Sequence, residues 1–185
     1  CLSKKGYTIP KTDLSKSELN KLKKAMTVKP FINTDYGLPA EPFPIYAENA
    51  NKIYIPKYYG QLTYGMPKTV KLTDGLDINI KFAGGLRDNQ VPVVKTFTDS
   101  FNNTNGGIIS VGCGFGKTVM ALYLAFLLKK KTLVIVHKTF LLNQWKERII
   151  QYIPNANIGQ LQGNITDVED KDIVIGMLQS ISMRE

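Results

Sequence analysis

The stretch SVGCGFGKT, at residues 110–118, constrains the fold of this chain more than any other feature. An apolar segment, GIISV, runs into it, and a second one, KTVMALYLAFLL, leads out of it. A strand, a glycine-rich turn and a helix that opens with Gly-Lys-Thr are the context of a phosphate-binding loop. The backbone N–H groups of such a loop and the positive end of the helix dipole bind phosphate oxygens. The stretch therefore predicts a nucleotide-binding site in an α/β domain.

The residue types of this loop suit ATP and Mg²⁺. Lys117 is long enough to reach the β and γ phosphates, and the Thr118 hydroxyl can bind magnesium, so these two are the predicted catalytic residues. The match is imperfect, because Val111 stands where the strict pattern has glycine. We expect Cys113 to fill space, since no candidate base for a catalytic thiol is near it. The predicted nucleotide-binding residues of the loop are Gly112, Cys113, Gly114, Phe115, Gly116, Lys117 and Thr118.

Residues 85–185 alternate between short apolar segments and longer amphipathic ones. GIISV, TLVIV and DIVIG are typical of buried strands, and KTVMALYLAFLLKKK and TFLLNQWKERIIQYI of helices. Short strands separated by helices imply a parallel sheet with crossover connections. This part of the chain is therefore predicted to be α/β.

Residues 1–84 have a different pattern, which predicts a small, basic α+β domain. Ser15 and Glu18 have the spacing of a capping box, and an apolar stripe follows them, so a helix should begin there. NKIYIPKYYGQLTYG and KTVKLTDGLDINIKF are typical of strands, the second as a hairpin that turns near Asp74 and Gly75. FAGG, at residues 82–85, is the predicted hinge to the second domain.

The charge favours a polyanionic partner. The chain of 185 residues has 24 Lys and Arg against 15 Asp and Glu, a net charge of +9 that is spread over both parts. An aromatic and basic cluster in the first part has two interpretations, a surface that stacks bases and binds phosphates or strand packing with solvated lysines. The members of that cluster are Tyr54, Lys57, Tyr58, Tyr59, Tyr64 and Lys68.

Membrane and disulfide classes are not favoured. No apolar run approaches the roughly 20 residues of a membrane span, so we expect no membrane partner. Two cysteines give no disulfide framework, so an intracellular protein is expected. The first residue is Cys1 rather than Met, which suggests a chain that is processed, cut or partly represented.

Four motifs follow one another in the second part: LRDNQ at residues 86–90, GCGFGKT at 112–118, VHKTFLLNQW at 136–145 and DIVIGMLQSI at 172–181. In this order the chain resembles superfamily 2 helicases. The DNA translocases typified by XPB and UvsW, and the helicases of large nucleocytoplasmic DNA viruses such as the poxvirus transcript-release type, are the most similar. The resemblance implies a RecA-like ATP-binding domain of an ATP-dependent helicase. It also implies DNA rather than RNA as partner, a role in transcription or repair, and a cytoplasmic (viral factory or virion) or nuclear location.

The resemblance also assigns residues. Gln90 matches the glutamine that reads the adenine edge in this family, which suits an amide because it donates and accepts at once, and Arg87 of the same motif supports it. We expect Trp145 in the hydrophobic core and no metal at His137. The residues that match the nucleic-acid-contacting motifs are Lys138, Thr139, Gln179 and Ser180.

One expected residue is missing. Phosphate-loop ATPases also hold magnesium through an acidic residue at the end of a second apolar strand. No acid follows TLVIV or DIVIG, and those of DVEDKD precede a strand, at the wrong edge of a parallel sheet. In the resembling family an Asp-Glu pair follows the QSI segment, and a second RecA-like domain follows later. We therefore expect residues 85–185 to be the N-terminal part of the first RecA-like domain, truncated before that pair. We expect this chain to bind nucleotide weakly at best and not to hydrolyse it.

Two other interpretations stay open. A small-substrate kinase of the phosphate-loop type accounts for GCGFGKT but leaves LRDNQ and LLNQW unexplained. A non-catalytic nucleic-acid-binding module with a vestigial loop accounts for the charge, and its affinity for nucleic acid should change neither with ATP nor with Lys117→Ala.

Overall fold

The computed structural model describes residues 1–30 and 41–184. They form two compact units, Cys1–Asp74 and Gly75–Glu185. The strands of the first unit are β1 (Leu2–Ser3), β2 (Gly6–Pro10), β3 (Thr27–Val28), β4 (Phe43–Pro44), β5 (Ala47–Glu48) and β6 (Lys52–Ile55), and its helices are α1 (Lys16–Ala25) and α2 (Lys57–Tyr64). The second unit has the strands β7 (Thr132–Val136), β8 (Ile158–Gln162), β9 (Ile165–Asp167) and β10 (Ile173–Met177) and the helices α3 (Val91–Thr104), α4 (Lys117–Leu128), α5 (Thr139–Tyr152) and α6 (Leu178–Ser182).

The first unit is built on an antiparallel sheet with the strand order β1-β2-β6-β5. Successive side chains of a strand point to opposite faces, so one face carries the core. That core consists of Leu2, Tyr7, Ile9, Leu22, Met26, Ile53 and Ile55.

The predicted capping box is confirmed at the start of α1. The N–H of Glu18 donates to the Ser15 hydroxyl oxygen at 3.2 Å, and the N–H of Ser15 donates to the Glu18 carboxylate at 2.8 Å. Two N–H groups that the helix itself leaves without a partner are thereby satisfied.

The prediction of strands over residues 51–65 is wrong for the second half. β6 ends at Ile55, and α2 follows from Lys57 because Pro56 interrupts the strand and precedes the helix. Gly60 lets α2 pack closely on the sheet, since a Cβ there would collide with the buried ring of Tyr7.

The predicted hairpin around Asp74 and Gly75 is also wrong, because its two halves belong to different units. Val70 bridges to Leu2 in the first unit, and Asp77 bridges to Lys130 in the second. The boundary therefore lies ahead of residues 82–85, where the sequence predicts the hinge. Residues 78–83 pack into the second unit, where Ile80 is 3% exposed in its core.

The second unit is an α/β structure, as predicted. Its sheet has the order β7-β10-β8-β9, in which β7, β10 and β8 are parallel and β9 is antiparallel to β8. The helices over KTVMALYLAFLL and TFLLNQWKERIIQY and the strands over TLVIV and IVIGM are confirmed. Trp145 is half-buried against the core, beside Leu142 and Ile149.

GIISV, predicted to be a strand, joins no sheet in the described part of the chain. A strand needs a hydrogen-bonding neighbour, and none of the described strands runs beside residues 107–111. Ile109 and Val111 pack on the cluster that α3 and α4 form, whereas Ile108 is 94% exposed. None of the helices in residues 1–30 and 41–184 is both long and apolar enough to cross a membrane.

The core of the second unit can be tested on two adjacent positions of α5. Ile149→Ala should lower the free energy of unfolding by about 2–5 kcal/mol, because it leaves a cavity where the side chain is now 0% exposed. Ile150→Ala is the matched control, since Ile150 is 56% exposed, and its effect should stay within about 0.5 kcal/mol. Urea unfolding followed by the fluorescence of Trp145, the one tryptophan of the chain, measures both. Equal losses would contradict this core.

Candidate nucleotide-binding loop and nucleic-acid edge

Residues 112–116 form a turn that leads directly into α4. Gly114 and Gly116 have φ angles of +76° and +89°, a region that favours glycine. α4 begins at Lys117 without a side-chain hydrogen bond at its N-cap. The N–H groups of its first turn are therefore left for a ligand, at the positive end of the helix dipole.

The Lys117 ammonium group lies across this turn. It donates to the carbonyl oxygens of Val111 and Gly112, at 3.2 and 2.9 Å. A Cβ on Gly112 or Gly114 would meet no atom within 4 Å, so the turn is open on that side. Thr118 follows on the first turn of α4, and Cys113 is exposed. An ammonium group, free N–H groups and a hydroxyl in one turn fit a triphosphate with its magnesium ion.

The Gln90 side chain joins the LRDNQ motif to the loop. It is 2% exposed, its Oε1 accepts from the N–H of Arg87 at 2.9 Å, and its Nε2 donates to the carbonyl oxygen of Phe115 at 2.8 Å. The Arg87 side chain is exposed. A buried amide bonded to backbone on both sides fixes the two segments against each other, a structural role that the motif alone did not reveal.

Gly116 is required by the same contact. A Cβ at this position would collide with the Gln90 amide nitrogen, and its φ of +89° is strained for other residues. The glycine that precedes the lysine therefore serves both the turn and the close approach of Gln90.

Among residues 1–30 and 41–184, no acid follows the carboxyl end of a parallel strand. β7 is followed by His137, β10 by Leu178 and β8 by Gly163. Asp167 pairs with Gln160 of β8, and the remaining acids of DVEDKD follow it, at the opposite edge of the sheet. Within the described part of the chain, no three His, Cys, Asp or Glu side chains gather where they could hold a metal ion. Of the expected magnesium ligands, these residues therefore supply the Thr118 hydroxyl.

Three of the four residues that match nucleic-acid-contacting motifs are tied together at the carboxyl ends of the parallel strands. The Gln162 amide donates to the Thr139 hydroxyl oxygen at 3.1 Å, and the Gln179 amide donates to the His137 carbonyl oxygen at 3.1 Å. The Gly163 N–H donates to the Ser180 hydroxyl oxygen at 2.8 Å. We call this group the edge cluster; it consists of His137, Thr139, Gln162, Gly163, Gln179 and Ser180.

The edge cluster orients hydrogen-bond donors. The hydroxyl oxygens of Thr139 and Ser180 each accept a bond from the protein, which leaves their own hydrogens to donate to a ligand. Lys138 is exposed at the N-cap of α5, between His137 and Thr139. Hydroxyl donors, an ammonium group and a helix N-terminus are groups that bind phosphate oxygens of nucleic acids.

Arg184 supports the edge cluster, and nothing in the sequence singled it out. Its guanidinium group donates to the carbonyl oxygens of Gly163 and Ile165, at 2.7 and 3.2 Å, and to the Thr166 hydroxyl. These bonds hold the turn between β8 and β9, which the sequence did not predict because IGQLQGNITD has few apolar residues. Gly163 of this β8–β9 turn then positions Ser180 through its N–H.

A family model described as the res subunit of type III restriction enzymes matches residues 84–185, more than half of the chain. The chain belongs to this family. The resemblance to superfamily 2 helicases is confirmed, because its relatives are named as helicases and a translocase.

The relatives of this family member are viral and archaeal. A protein of Acanthamoeba polyphaga mimivirus, provisionally named an ATP-dependent RNA helicase, is 34% identical over 182 residues, which are 96% of this chain and 35% of that protein. A provisionally named helicase of Invertebrate iridescent virus 6 is 45% identical over 43% of this chain and 18% of its own length. The DNA 3'-5' translocase XPB2 of Sulfurisphaera tokodaii is 40% identical over 37% of this chain and 15% of its own. The chain thus spans about a third of the mimivirus relative.

A solved structure is also similar. It is the Sulfolobus solfataricus SWI2/SNF2 ATPase core in complex with double-stranded DNA, at a TM-score of 0.47 and 22% identity, with 61% of this chain and 25% of that chain covered.

The bridging role of Gln90 can be measured as stability. Gln90→Ala should lower the free energy of unfolding of the second unit by about 1–3 kcal/mol, because it leaves the Arg87 N–H and the Phe115 carbonyl oxygen without their partner. Asn89→Ala, at the exposed neighbouring position, is the control. Urea unfolding followed by Trp145 fluorescence compares the variants. A Gln90 variant as stable as the control would disprove the bridge.

Proposed function

We propose that this chain binds ATP at residues 112–118 and nucleic acid at the edge cluster, as part of an ATP-dependent helicase or translocase. The observation that carries the proposal is the loop, where Lys117 lies across positive-φ glycines at an uncapped helix start. Family membership over residues 84–185 supports it.

The chemistry assigned to the loop is charge neutralisation and positioning. The Lys117 ammonium group exchanges its two carbonyl partners for phosphate oxygens, which are stronger acceptors because they are charged. Magnesium, when bound, would neutralise phosphate charge, and Thr118 is the residue that would hold it. The role proposed for these residues is to bind and orient the nucleotide, since the described strand ends carry His137, Gly163 and Leu178 and no carboxylate.

Gln90 is proposed to read adenine, as the family resemblance implies. Because the side chain is 2% exposed, the base can reach it only if the covering residues move while the bridge is kept. An amide has two N–H donors and two acceptor lone pairs, and the protein occupies one of each. The remaining donor and lone pair match adenine, and the exposed Arg87 guanidinium is proposed to support the base.

DNA is the proposed track. The names of the relatives divide, since one is provisionally an RNA helicase and another a DNA translocase. The edge cluster offers donors for phosphate oxygens, which both polymers carry, so we expect binding that depends little on sequence. Direct comparison of DNA and RNA of the same sequence tests this choice, and tighter binding of RNA would reverse it.

Nucleotide binding should depend on Lys117. Lys117→Ala should weaken the binding of a fluorescent ATP analogue by roughly 10- to 150-fold, the range for a hydrogen bond to a charged group. Lys146→Ala is the matched control, because it removes the same charge from an exposed position on α5. Equilibrium titration of both variants decides whether the loop binds nucleotide or is vestigial. If Lys117→Ala binds the analogue as well as the control does, the loop is vestigial.

Duplex binding at the edge cluster should be visible as a salt effect. Lys138→Ala should reduce the slope of log affinity against log salt concentration by about 0.9, because one phosphate contact is lost. Lys146→Ala should leave the slope unchanged. Fluorescence anisotropy with labelled duplexes at several salt concentrations measures both. Identical slopes for the two variants would remove Lys138 from the interface.

A further inference from the structure

The sheet of the first unit has a second face, opposite the one that carries its core. Tyr54 stands at its centre, directly across from Thr8 on β2 and from Ala47 on β5. Ala47 is exposed and the Tyr54 ring is half-buried. The core lies on the opposite face, with Ile53 and Ile55. An aromatic ring is thus held in the middle of a rigid surface, and its rigidity comes from the strands on both sides.

Lysines surround this ring. Lys4 and Lys5 come from the turn between β1 and β2, and the Lys5 ammonium group lies 5.4 Å from the centre of the Tyr54 ring. Lys52 precedes Tyr54 by two positions on β6 and therefore shares its face. Lys68 and Lys71 belong to the segment beside β1, where the Leu2 N–H donates to the Thr69 carbonyl oxygen and the Lys71 N–H to that of Leu2. These five lysines and Tyr54 line a cavity of about 1060 Å³, which we call the groove.

The five lysines of the groove outnumber the two acids that line it, Asp13 and Glu18. Among residues 1–30 and 41–184, the ion pairs of the first unit join Lys11 and Lys23 to Glu48, and none involves a groove lysine. Of the two acids that line the groove, Glu18 already accepts hydrogen bonds from Ser15, which hold its pKa below the usual value. Asp13 accepts from the Thr12 hydroxyl. The ammonium groups of the groove are therefore available to an anionic partner.

We propose that the groove binds single-stranded nucleic acid. Lys5 moves from the face of the Tyr54 ring to a phosphate, a base stacks on the ring in its place, and the other groove lysines bind further phosphates. Spaced ammonium groups around an aromatic platform match the alternation of phosphates and bases along a strand. A duplex does not suit the groove, because its bases are already stacked on one another and cannot reach the ring. An acidic peptide would satisfy the lysines but leave Tyr54 without a planar partner.

This groove is a site separate from the loop and the edge cluster, since every residue that lines it lies in the first unit. Its volume of about 1060 Å³ is slightly above the range of small-molecule pockets, which favours a polymer segment over a single small ligand. Variants of Lys117 or Lys138 should consequently leave single-strand binding at the groove intact.

The test measures binding of the whole chain to a labelled oligothymidylate of about 12 nucleotides, within the usual span of single-strand sites. Lys5→Gln/Lys52→Gln should weaken binding and reduce the salt slope by about 1.4, which is two single-strand phosphate contacts. The matched control is Lys23→Gln/Lys24→Gln on α1, which changes the net charge equally and touches no groove residue. Equal effects of the two double variants would overturn the proposal.

Stacking is tested on the ring itself. Tyr54→Ala should weaken oligothymidylate binding roughly 5- to 150-fold, the range for one stacked base. Tyr54→Phe should restore it, because the ring remains and the lost hydroxyl only accepts from Asn49. Circular dichroism checks that the sheet persists. The lysine variants, at exposed positions, keep the test valid if Tyr54→Ala unfolds the unit. Wild-type affinity in a folded Tyr54→Ala would reject stacking and the single-strand assignment with it.

Photocrosslinking locates the bound strand. An oligonucleotide with 5-iodouracil should crosslink to the peptide that contains Tyr54. The same crosslink should form in the Lys138→Ala variant. Crosslinks confined to residues 75–185 would overturn the groove site. A duplex or a polyglutamate that competes as well as the unlabelled oligothymidylate would do the same. ATP-analogue binding, measured on the same variants, should be unchanged, so that a failure of the groove is distinguishable from a failure of the nucleotide site.

Discussion

The two hydrogen bonds of the buried Gln90 amide are the interaction on which the geometry of the phosphate loop depends. They connect the backbone of Arg87 with that of Phe115, so the loop is fixed against the start of α3 and not only against its own helix. A glycine-rich loop can adopt many conformations in the absence of such bonds. Fixing the loop before binding lowers the conformational entropy that would be lost when a nucleotide binds. Gly116 is required for these two hydrogen bonds, because any side chain at this position would displace the Gln90 amide group. The two motifs are therefore one structure, although many residues of α3 separate them in sequence.

Much of the second unit could be predicted because its signals are local. The apolar runs at TLVIV and DIVIG and the Gly-Lys-Thr before a helix each act within a few residues. The Ser15–Glu18 capping box is a local signal of the same kind in the first unit. The failures share a non-local cause. GIISV has the composition of a strand, yet the hydrogen bonds that make a strand come from a neighbour, and no described strand lies beside it. The halves of KTVKLTDGLDINIKF look complementary but go to different units.

The site followed the same division. The sequence predicted a glycine turn before a helix at residues 112–118, because glycine permits the positive φ angles of that turn. Phosphate binding by this turn is a proposal. The sequence did not predict the Gln90 bridge, the hydrogen bonds of Arg184 or the bonds that orient Thr139 and Ser180. Each of them joins residues that come close to one another only in the folded chain. Tyr54 was named within a cluster of six, and the sheet register places it on the face opposite the core. Tyr64 and Lys68 of that cluster line the same groove, whereas Lys57, Tyr58 and Tyr59 of α2 do not.

The placement of carboxylates, more than the number of lysines, determines where a basic chain can receive an anion. Glu48 lies between Lys11 and Lys23, whose hydrogen bonds lower its pKa. An anion could bind these two lysines only in competition with the Glu48 carboxylate. The groove lysines form no ion pair among the described residues, and the Lys5 ammonium group lies over the Tyr54 ring. A strand that binds there releases its counterions without breaking an existing ion pair, whereas one that bound near Glu48 would have to separate two. Within the first unit, the lysines that pair with Glu48 and the lysines that line the groove therefore differ in how readily they can bind an anion.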